Sequence, residues 1–166
     1  MTVDQIKEQL GLVAHPEGGY YIQTYKSAES ISHTALDPRY PGARATGTAI
    51  YYLLEPGTFS ELHRLKSDEI FHFYLGDPVE QLQLWPDGSS RLITIGSDLS
   101  RGHTPQLVVP KDVWQGARLL AGGSFALLGC TVAPGFEFDD YESGAREPLI
   151  RQYPAERELI SSLTRH

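Results

Sequence analysis

The sequence predicts an all-β fold, an antiparallel sandwich or barrel with a short helix at each end of the chain. Two observations carry this prediction. From residue 48 to residue 133, short apolar runs rich in aromatic and β-branched residues alternate with turns of glycine, proline and aspartate. No helical pattern separates these runs, which favours antiparallel pairing over a parallel sheet. A chain of 166 residues is expected to form a single domain, residues 1–166.

The N-terminal helix is predicted from its caps and its periodicity. Thr2 and Gln5 fit a capping box, and Gly11 suits the C-cap. Between them, apolar residues recur at helical spacing, at Val3, Ile6 and Leu10. Residues 15–19, HPEGG, predict a turn, and the alternating run YYIQTY after it predicts a strand.

Residues 27–46 are polar and are interrupted by Asp-Pro and Pro-Gly pairs, so they predict a long loop, either a lid over a site or passive surface. In the strand region that follows, residues 85–88, WPDG, are the clearest hairpin turn. A closing helix is predicted over residues 154–165, because Pro154 suits a first helical turn. Its apolar face, which we expect to dock on the outside of the barrel, carries Leu159, Ile160 and Leu163.

Charge and composition exclude several classes of protein. Fourteen Lys and Arg against 21 Asp and Glu give a net charge of −7, which opposes binding to nucleic acid. The N-terminus does not resemble a secretory signal, and no apolar stretch is long enough to span a membrane. The single cysteine, Cys130, suits a reducing compartment and is expected to be a buried apolar residue rather than a nucleophile. A cytoplasmic location follows as the prediction.

Residues 57–76, GTFSELHRLKSDEIFHFYLG, resemble the first signature motif of the cupin superfamily. Gly57, His63, Glu69 and Gly76 fall on the spacing of that motif, whereas Leu65 stands where a second histidine is usual. In metal-binding cupins the two histidines and the glutamate are ligands of the metal.

The second cupin motif supplies a further histidine from a strand after a Pro-x-Gly turn. Here the matching segment is PKDVWQGARL, in which Gln115 stands at the position of that histidine. Two of the four ligand positions therefore lack imidazole, the donor that divalent transition ions prefer. The resemblance thus implies a site without a metal or other cofactor. A divalent metal held by His63, Glu69 and Gln115 is the alternative.

The resemblance extends over most of the chain and is strongest to a group of small single-domain cupins with no assigned activity. The matching blocks are residues 12–27, 49–78, 105–118 and 129–142. This resemblance implies a jelly-roll barrel, the cupin double-stranded β-helix, that forms a homodimer. Such proteins are similar in fold to dTDP-4-dehydrorhamnose 3,5-epimerase, a metal-free cupin, but the chain shows no motif that would transfer the catalytic residues of that enzyme.

Strand alternation predicts which side chains face the barrel interior, because residues two apart share a face. If Glu69 points inward, Phe71 and Phe73 share its face and His72 points away. On the other motif, Gln115 points inward with Val113 and Ala117, and Trp114 points outward. Apolar walls with a few polar groups are typical of a small-molecule cavity.

His63 and Glu69 are the candidate catalytic residues, since a histidine and a carboxyl group facing one cavity support proton transfer. Gln115 is a candidate for orienting a ligand, as donor and acceptor. Phe71 and Phe73 are candidates for the ligand-binding wall. Arg64 is a candidate for binding a phosphate or carboxylate at the cavity mouth, with solvated surface charge as the alternative.

Three functional hypotheses follow, and the sequence leaves open whether the protein is an enzyme. The first is binding of a small polar metabolite, sugar-like or nucleotide-like, without catalysis. The second is a metal-free isomerase or epimerase that uses His63 and Glu69. The third is a metal-dependent oxygenase or isomerase.

Overall fold

Two antiparallel sheets packed face to face form the body of the protein, whose computed structural model describes residues 1–165. In chain order the strands are β1 (Val13–Ala14), β2 (Tyr20–Lys26), β3 (Ser30–Ile31), β4 (Arg44–Ala45), β5 (Thr48–Leu54), β6 (Phe59–Arg64), β7 (Asp68–Gly76), β8 (Val79–Leu84), β9 (Ser90–Ile95), β10 (Gln106–Val109), β11 (Trp114–Leu119), β12 (Ala126–Ala133) and β13 (Glu142–Ser143). The helices are α1 (Val3–Leu10), α2 (Arg146–Gln152) and α3 (Arg157–Ser162). None of the helices within residues 1–165 is long and apolar enough to cross a membrane.

The order of the strands is that of a jelly roll. The six-stranded sheet has the order β1-β2-β5-β12-β7-β10, and the five-stranded sheet has the order β13-β6-β11-β8-β9. Apart from the β8–β9 hairpin, which the predicted turn at residues 85–88 closes, successive strands from β5 to β13 alternate between the two sheets. This arrangement confirms the predicted all-β jelly roll.

The space between the sheets is filled by inward-facing side chains of both. On β7, Phe71 is buried, whereas His72 points to the outer surface and bonds Thr131 there. The predicted alternation of this strand is therefore confirmed. The buried members of this inner core are Tyr52, Leu54, Phe71, Val79, Ile95, Val109, Val113, Ala117, Ala126, Leu128 and Cys130.

A second apolar cluster lies on the outer face of the five-stranded sheet, where the C-terminal helices dock. Leu62, Leu82 and Leu84 of the sheet pack there against Ile160 and Leu163, and Trp114 packs at the margin. The predicted position of the closing helix is confirmed, but its extent differs. Residues 154–156 form a 3-10 turn before α3, and α2 precedes them without a sequence prediction.

The predicted capping box of α1 is present. The Thr2 hydroxyl accepts from the Gln5 backbone N–H at 3.2 Å, and the Gln5 side chain accepts from the Thr2 backbone N–H at 2.8 Å. Gly11 ends the helix in the left-handed conformation at φ 67°. Ile6 then packs against Leu53 of β5, which fixes the helix beside the first sheet.

Residues 27–46 form the predicted long excursion, although its two ends pair as the short strands β3 and β4, and two buried contacts hold it against the rest of the protein. Arg44 and Asp140 form a bidentate ion pair with distances of 2.7 and 2.8 Å. The Tyr40 hydroxyl lies 2.8 Å from that of Ser67. Because a bidentate buried pair leaves both charges hydrogen-bonded, it fixes the loop more firmly than exposed pairs do.

The register of β6 against β11 contains a β-bulge at Glu61 and Leu62. His63 pairs with Gln115 and Ser60 pairs with Ala117, so two residues of β6 face one residue of β11. The amides of the bulge bond outside the ladder: Glu61 N–H donates to the Glu17 carbonyl at 2.9 Å, and Leu62 N–H donates to the Leu163 carbonyl at 2.7 Å. The bulge thus ties the 15–19 turn and the C-terminal segment to one strand.

Candidate functional site

A cavity of about 250 Å³ opens between the sheets at one end of the barrel. The position of the cavity along the barrel is marked by a row of paired residues across the six-stranded sheet. This row consists of Lys26, Thr48, Val132 and Glu69. The cavity is lined by His15, Glu17, Tyr21, Gln23, Lys26, Thr48, Ile50, His63, Leu65, Glu69, Cys130, Val132, Phe136, Glu137 and Phe138. None of residues 27–46 contributes to this lining, so the lining gives no support to the lid alternative.

Glu17 reaches the cavity because the turn that carries it lies directly against β6. Gly18, at φ 109°, makes this approach possible, since a Cβ atom there would collide with the Phe59 carbonyl oxygen. The buried Glu17 carboxyl group accepts a hydrogen bond from the Ser60 hydroxyl at 3.1 Å through Oε1. Its other oxygen, Oε2, lies 3.3 Å from Nε2 of His63.

The bulge fixes the orientation of His63. Its Nδ1 lies 2.7 Å from the Glu61 carbonyl oxygen, and a carbonyl can only accept, so Nδ1 carries a proton. The ring stacks on Tyr141 with a centroid distance of 4.9 Å. In the neutral ring Nε2 is therefore an acceptor that faces the Glu17 carboxyl group.

The contact between Glu17 Oε2 and His63 Nε2 contains a single proton, which either group can hold. A neutral His63 requires a protonated Glu17 as donor, whereas an ionised Glu17 requires a protonated His63. Burial raises the pKa of Glu17 to about 8, and burial lowers the pKa of His63. Both shifts favour the uncharged pair, in which Glu17 holds the proton at neutral pH.

His15, beside Glu17 in the same turn, is also held neutral. The Glu17 backbone N–H donates to its Nδ1 at 3.0 Å, and burial lowers its pKa to about 4. The ring meets Tyr21 edge-on at a centroid distance of 4.3 Å. His15 is thus an aromatic wall of the cavity with one nitrogen already bonded.

Glu69 is the second carboxyl group of the lining. Gln115 donates to its Oε2 through Nε2 at 2.8 Å. Burial raises the pKa of Glu69 to about 7, so this group changes charge near neutrality. The Cys130 thiol lies beside it, and burial raises the pKa of that thiol well above its usual value. Cys130 is a buried thiol of β12, as the sequence predicts.

The structure separates the residues that the sequence groups together. His63 and Glu69 line the cavity, and Gln115 lies behind Glu69. Phe71 belongs to the inner core and Phe73 packs against it, and neither is among the residues that line the cavity. Their ligand-binding role stays a prediction.

Arg64 lies outside the cavity. It pairs with Glu142 at 2.7 Å, and its guanidinium group stacks over the Trp114 ring at 4.5 Å. The alternative reading of Arg64, surface charge, describes its position. Its ligand-binding role stays a prediction.

Sequence reasoning gave Glu17 no defined place in the site. Glu17 lies in a short turn, where no periodicity indicates the direction of a side chain. The signal available in the sequence was the Gly-Gly pair after it, because both glycines adopt positive φ values, 109° and 71°. Such a pair indicates a turn that approaches another backbone closely.

The donor set does not fit a metal centre. Leu65 offers no donor, the Gln115 amide N–H bonds Glu69, and His63 Nε2 faces the Glu17 carboxyl group. Across the described chain, no group of three or more His, Cys, Asp or Glu side chains is arranged to hold a metal ion. Divalent transition ions prefer several imidazole or thiolate ligands in a defined geometry, which this site lacks.

Comparison with known proteins gives a family and close structural relatives. Residues 4–144 match the family described as Cupin superfamily (DUF985). The chain is similar to Uncharacterized protein YML079W of Saccharomyces cerevisiae, with 28% identity over 151 residues that cover 84% of this chain and 74% of that protein.

Two solved structures share the whole architecture. A hypothetical protein from Leishmania major has 29% identity and a TM-score of 0.89, with both chains covered completely. Protein SO0799 from Shewanella oneidensis has 35% identity and a TM-score of 0.87, with 99% of this chain and 98% of that chain covered.

Proposed function

Because this chain belongs to the DUF985 family of the cupin superfamily, we propose that it binds a small polar metabolite in the cavity of its jelly roll, through hydrogen bonds rather than through a metal ion. One observation carries the proposal: buried Glu17, His63 and Glu69 converge on a single cavity between the sheets. Buried titratable groups are costly to keep in a core and are typical of sites with a function.

The size of the cavity favours a ligand of monosaccharide size. Its volume of about 250 Å³ lies below the range of roughly 300–1,000 Å³ that is typical of drug-sized sites. A nucleotide would extend out of the mouth, past Lys26 and Glu137. A sugar-like ligand is therefore favoured over a nucleotide-like one.

The lining suits a hydroxylated ligand. The proton of Glu17 is engaged by His63, whereas Glu69 is a donor when protonated and an acceptor when ionised, so ligand hydroxyl or carbonyl groups find partners of both kinds at Glu69. The rings of Tyr21, Phe136 and Phe138 supply flat apolar walls against which the C–H faces of a sugar ring pack. This mixture is the usual composition of a small-molecule cavity.

Thermal unfolding with a panel of monosaccharides, sugar acids and nucleotides tests the proposal. A ligand at a hundred times its Kd stabilises the fold by roughly 2.7 kcal/mol, which raises Tm by roughly 5–10 °C. We expect such a shift with a sugar-like compound and its loss in His63→Ala and in Glu17→Ala. His72→Ala, on the outer face of the first sheet, is the matched histidine control and should keep the shift.

The binding proposal is wrong if no compound of the panel raises Tm. It is also wrong if the shift survives both His63→Ala and Glu17→Ala, because the ligand then binds elsewhere.

A second candidate function, a metal-free isomerase or epimerase, is favoured by the 3.3 Å contact between Glu17 Oε2 and His63 Nε2. A carboxyl–imidazole pair that shares one proton supplies an acid or a base, and Glu69 supplies another group at the same cavity. Incubation with keto-sugars in deuterated water tests this candidate. Catalysis requires deuterium incorporation next to the carbonyl group, whereas simple binding gives a Tm shift without incorporation.

A further inference from the structure

Three glutamine side chains face the barrel interior on two neighbouring strands of the five-stranded sheet. Gln81 and Gln83 lie on β8 and Gln115 lies on β11, with exposed fractions of 0%, 1% and 2%. Gln83 pairs with Gln115, and Gln81 pairs with Ala117, so Gln81 is the diagonal neighbour of Gln115 on the same face.

The direction of the hydrogen bonds among them is fixed at one end. The Trp85 indole Nε1–H donates to Gln83 Oε1 at 3.2 Å, and an indole N–H can only donate. The Gln83 amide is thereby oriented, and its Nε2 donates to Gln81 Oε1 at 3.1 Å. It also donates to the Val108 carbonyl at 3.3 Å. The Nε2 group of Gln81 consequently points onward, away from Gln83.

The other end of the series reaches the cavity, where Gln115 Nε2 donates to Glu69 Oε2. Two buried side-chain atoms have no hydrogen-bond partner among residues 1–165, Gln81 Nε2 and Gln115 Oε1. One is a donor and the other an acceptor. An unpaired buried polar atom costs roughly 1–3 kcal/mol, so two complementary ones on diagonal positions call for a shared partner.

We infer that one buried water molecule accepts from Gln81 Nε2 and donates to Gln115 Oε1, and that Trp85, Gln83 and Gln81 are thereby positioning residues for Glu69. Residues at diagonal positions are about 7–8 Å apart, so long side chains on them are within reach of one another. Buried waters typically bond otherwise unsatisfied buried polar groups, and these two atoms are such groups.

With the water in place, the hydrogen bonds run in one direction from Trp85 to Glu69. The order is Trp85, Gln83, Gln81, the water, Gln115 and Glu69, and each group donates to the next. Because Gln115 must turn its oxygen towards the water, it presents N–H, not C=O, to Glu69. Trp85, the residue that follows β8, thus determines which kind of partner Glu69 meets. The consequence of this for a ligand rests on the proposed function; the hydrogen-bonded series itself does not.

Side-chain NMR of the ligand-free protein tests the inference. We expect the Gln81 Nε2 protons to show cross-relaxation with a long-lived water. We also expect Trp85→Phe, which removes the indole donor and keeps an aromatic ring, to shift the Gln115 side-chain amide signals. Arg91→Ala is the matched control, because Arg91 stacks on the Trp85 ring at 4.2 Å but its side chain makes none of the hydrogen bonds of the series. Its effect on Gln115 should be smaller than that of Trp85→Phe.

The inference is overturned if the Gln81 amide shows no contact with water. It is equally overturned if Trp85→Phe moves the Gln115 signals no more than Arg91→Ala does. Because no ligand is present, a failed metabolite screen does not affect this result, and a missing water leaves the binding proposal intact.

Discussion

The two faces of the five-stranded sheet are equally buried and chemically opposite. On β8, Leu82 and Leu84 point outward into the cluster beneath α2 and α3, whereas Gln81 and Gln83 point inward. All four are at most 1% exposed. Burial therefore does not distinguish the face that holds the helices from the face that leads to the cavity. The hydrogen bonds do, because each inward amide is engaged by a neighbouring polar group.

This difference indicates what each face contributes. Apolar side chains on the outer face stabilise the fold by leaving water, at roughly 25 cal/mol per Å². Amides on the inner face gain little net stability, since their hydrogen bonds mostly replace those made to water. What they add is a fixed direction for the groups around Glu69. Substitutions on the two faces should separate stability from binding.

The largest expected effect is on the outer face. Leu82→Ala should lower the free energy of unfolding by about 2–5 kcal/mol, because it leaves a cavity beneath the helices. Urea unfolding measures this change, and ligand affinity of the folded protein should not change. Leu92→Ala is the control, since Leu92 pairs with Leu82 but is 53% exposed. An equal loss in both variants would show that the helices do not determine the stability of this face.

A substitution on the inner face of the same strand should cost less. Gln83→Met keeps the volume but leaves Trp85 Nε1–H and Gln81 Oε1 without their partner, and we expect a loss of about 1–3 kcal/mol. Leu84→Met, one residue along and facing outward, should lose less than about 1.5 kcal/mol. Urea unfolding of the pair measures both. A gain in stability for Gln83→Met would mean that its hydrogen bonds are dispensable.

The cavity end should make stability depend on pH. Since burial raises the pKa of Glu17 to about 8 from 4.5, the folded protein keeps a proton that the unfolded chain releases. Stability therefore falls as pH rises between these values, by up to about 1.4 kcal/mol per pH unit. The lowered pKa values of His15 and His63 act in the opposite direction below their ordinary value of 6.5.

Between pH 6.5 and 8 the two histidines no longer affect how the free energy of unfolding changes with pH, so the carboxyl groups determine its slope. We expect the wild-type free energy of unfolding to fall over this interval, and that of Glu17→Gln to fall distinctly less, in urea titrations at each pH. Glu69, whose pKa burial raises to about 7, accounts for a residual slope. Identical slopes in the two proteins would refute a protonated Glu17.

The smallest effect is expected at Arg64. The side chains of its pair with Glu142 are 37% and 56% exposed, and ion pairs near the surface contribute about 0–1 kcal/mol. Arg64→Ala should change neither the free energy of unfolding by more than this nor the affinity for a ligand found in the thermal screen. A tenfold loss of affinity would restore Arg64 as a ligand-binding residue.

The sequence predicts the strands between residues 48 and 133, the first helix and the 85–88 hairpin, because these depend on local periodicity and turn chemistry. It does not predict the short β3–β4 pair inside the loop, nor β13. It does not predict α2, since Arg146–Gln152 is only seven residues long and has no side-chain cap. His63 and Glu69 are placed at the cavity by their motif spacing. The homodimer, the cytoplasmic location and the single domain stay predictions.

The rest of the site depends on contacts between distant segments. Glu17 meets His63 only because a glycine turn packs against β6, and no pattern within either segment records that approach. The carbonyl group that orients His63 is free to accept because of a bulge, which strand alternation does not predict. Phe71 shares the inward face of Glu69, as alternation requires, but lies deeper than the cavity.

The bulge also makes hydrogen exchange on β6 sensitive to local opening at both ends of the chain. Its two successive amide hydrogens bond segments from opposite termini, the Glu61 amide to the Glu17 carbonyl and the Leu62 amide to the Leu163 carbonyl. Opening of the N-terminal turn exposes the first to hydrogen exchange, and fraying of the last helix exposes the second. Hydrogen exchange at these two neighbouring amides therefore measures, separately, how often the N-terminal turn and the C-terminal segment open.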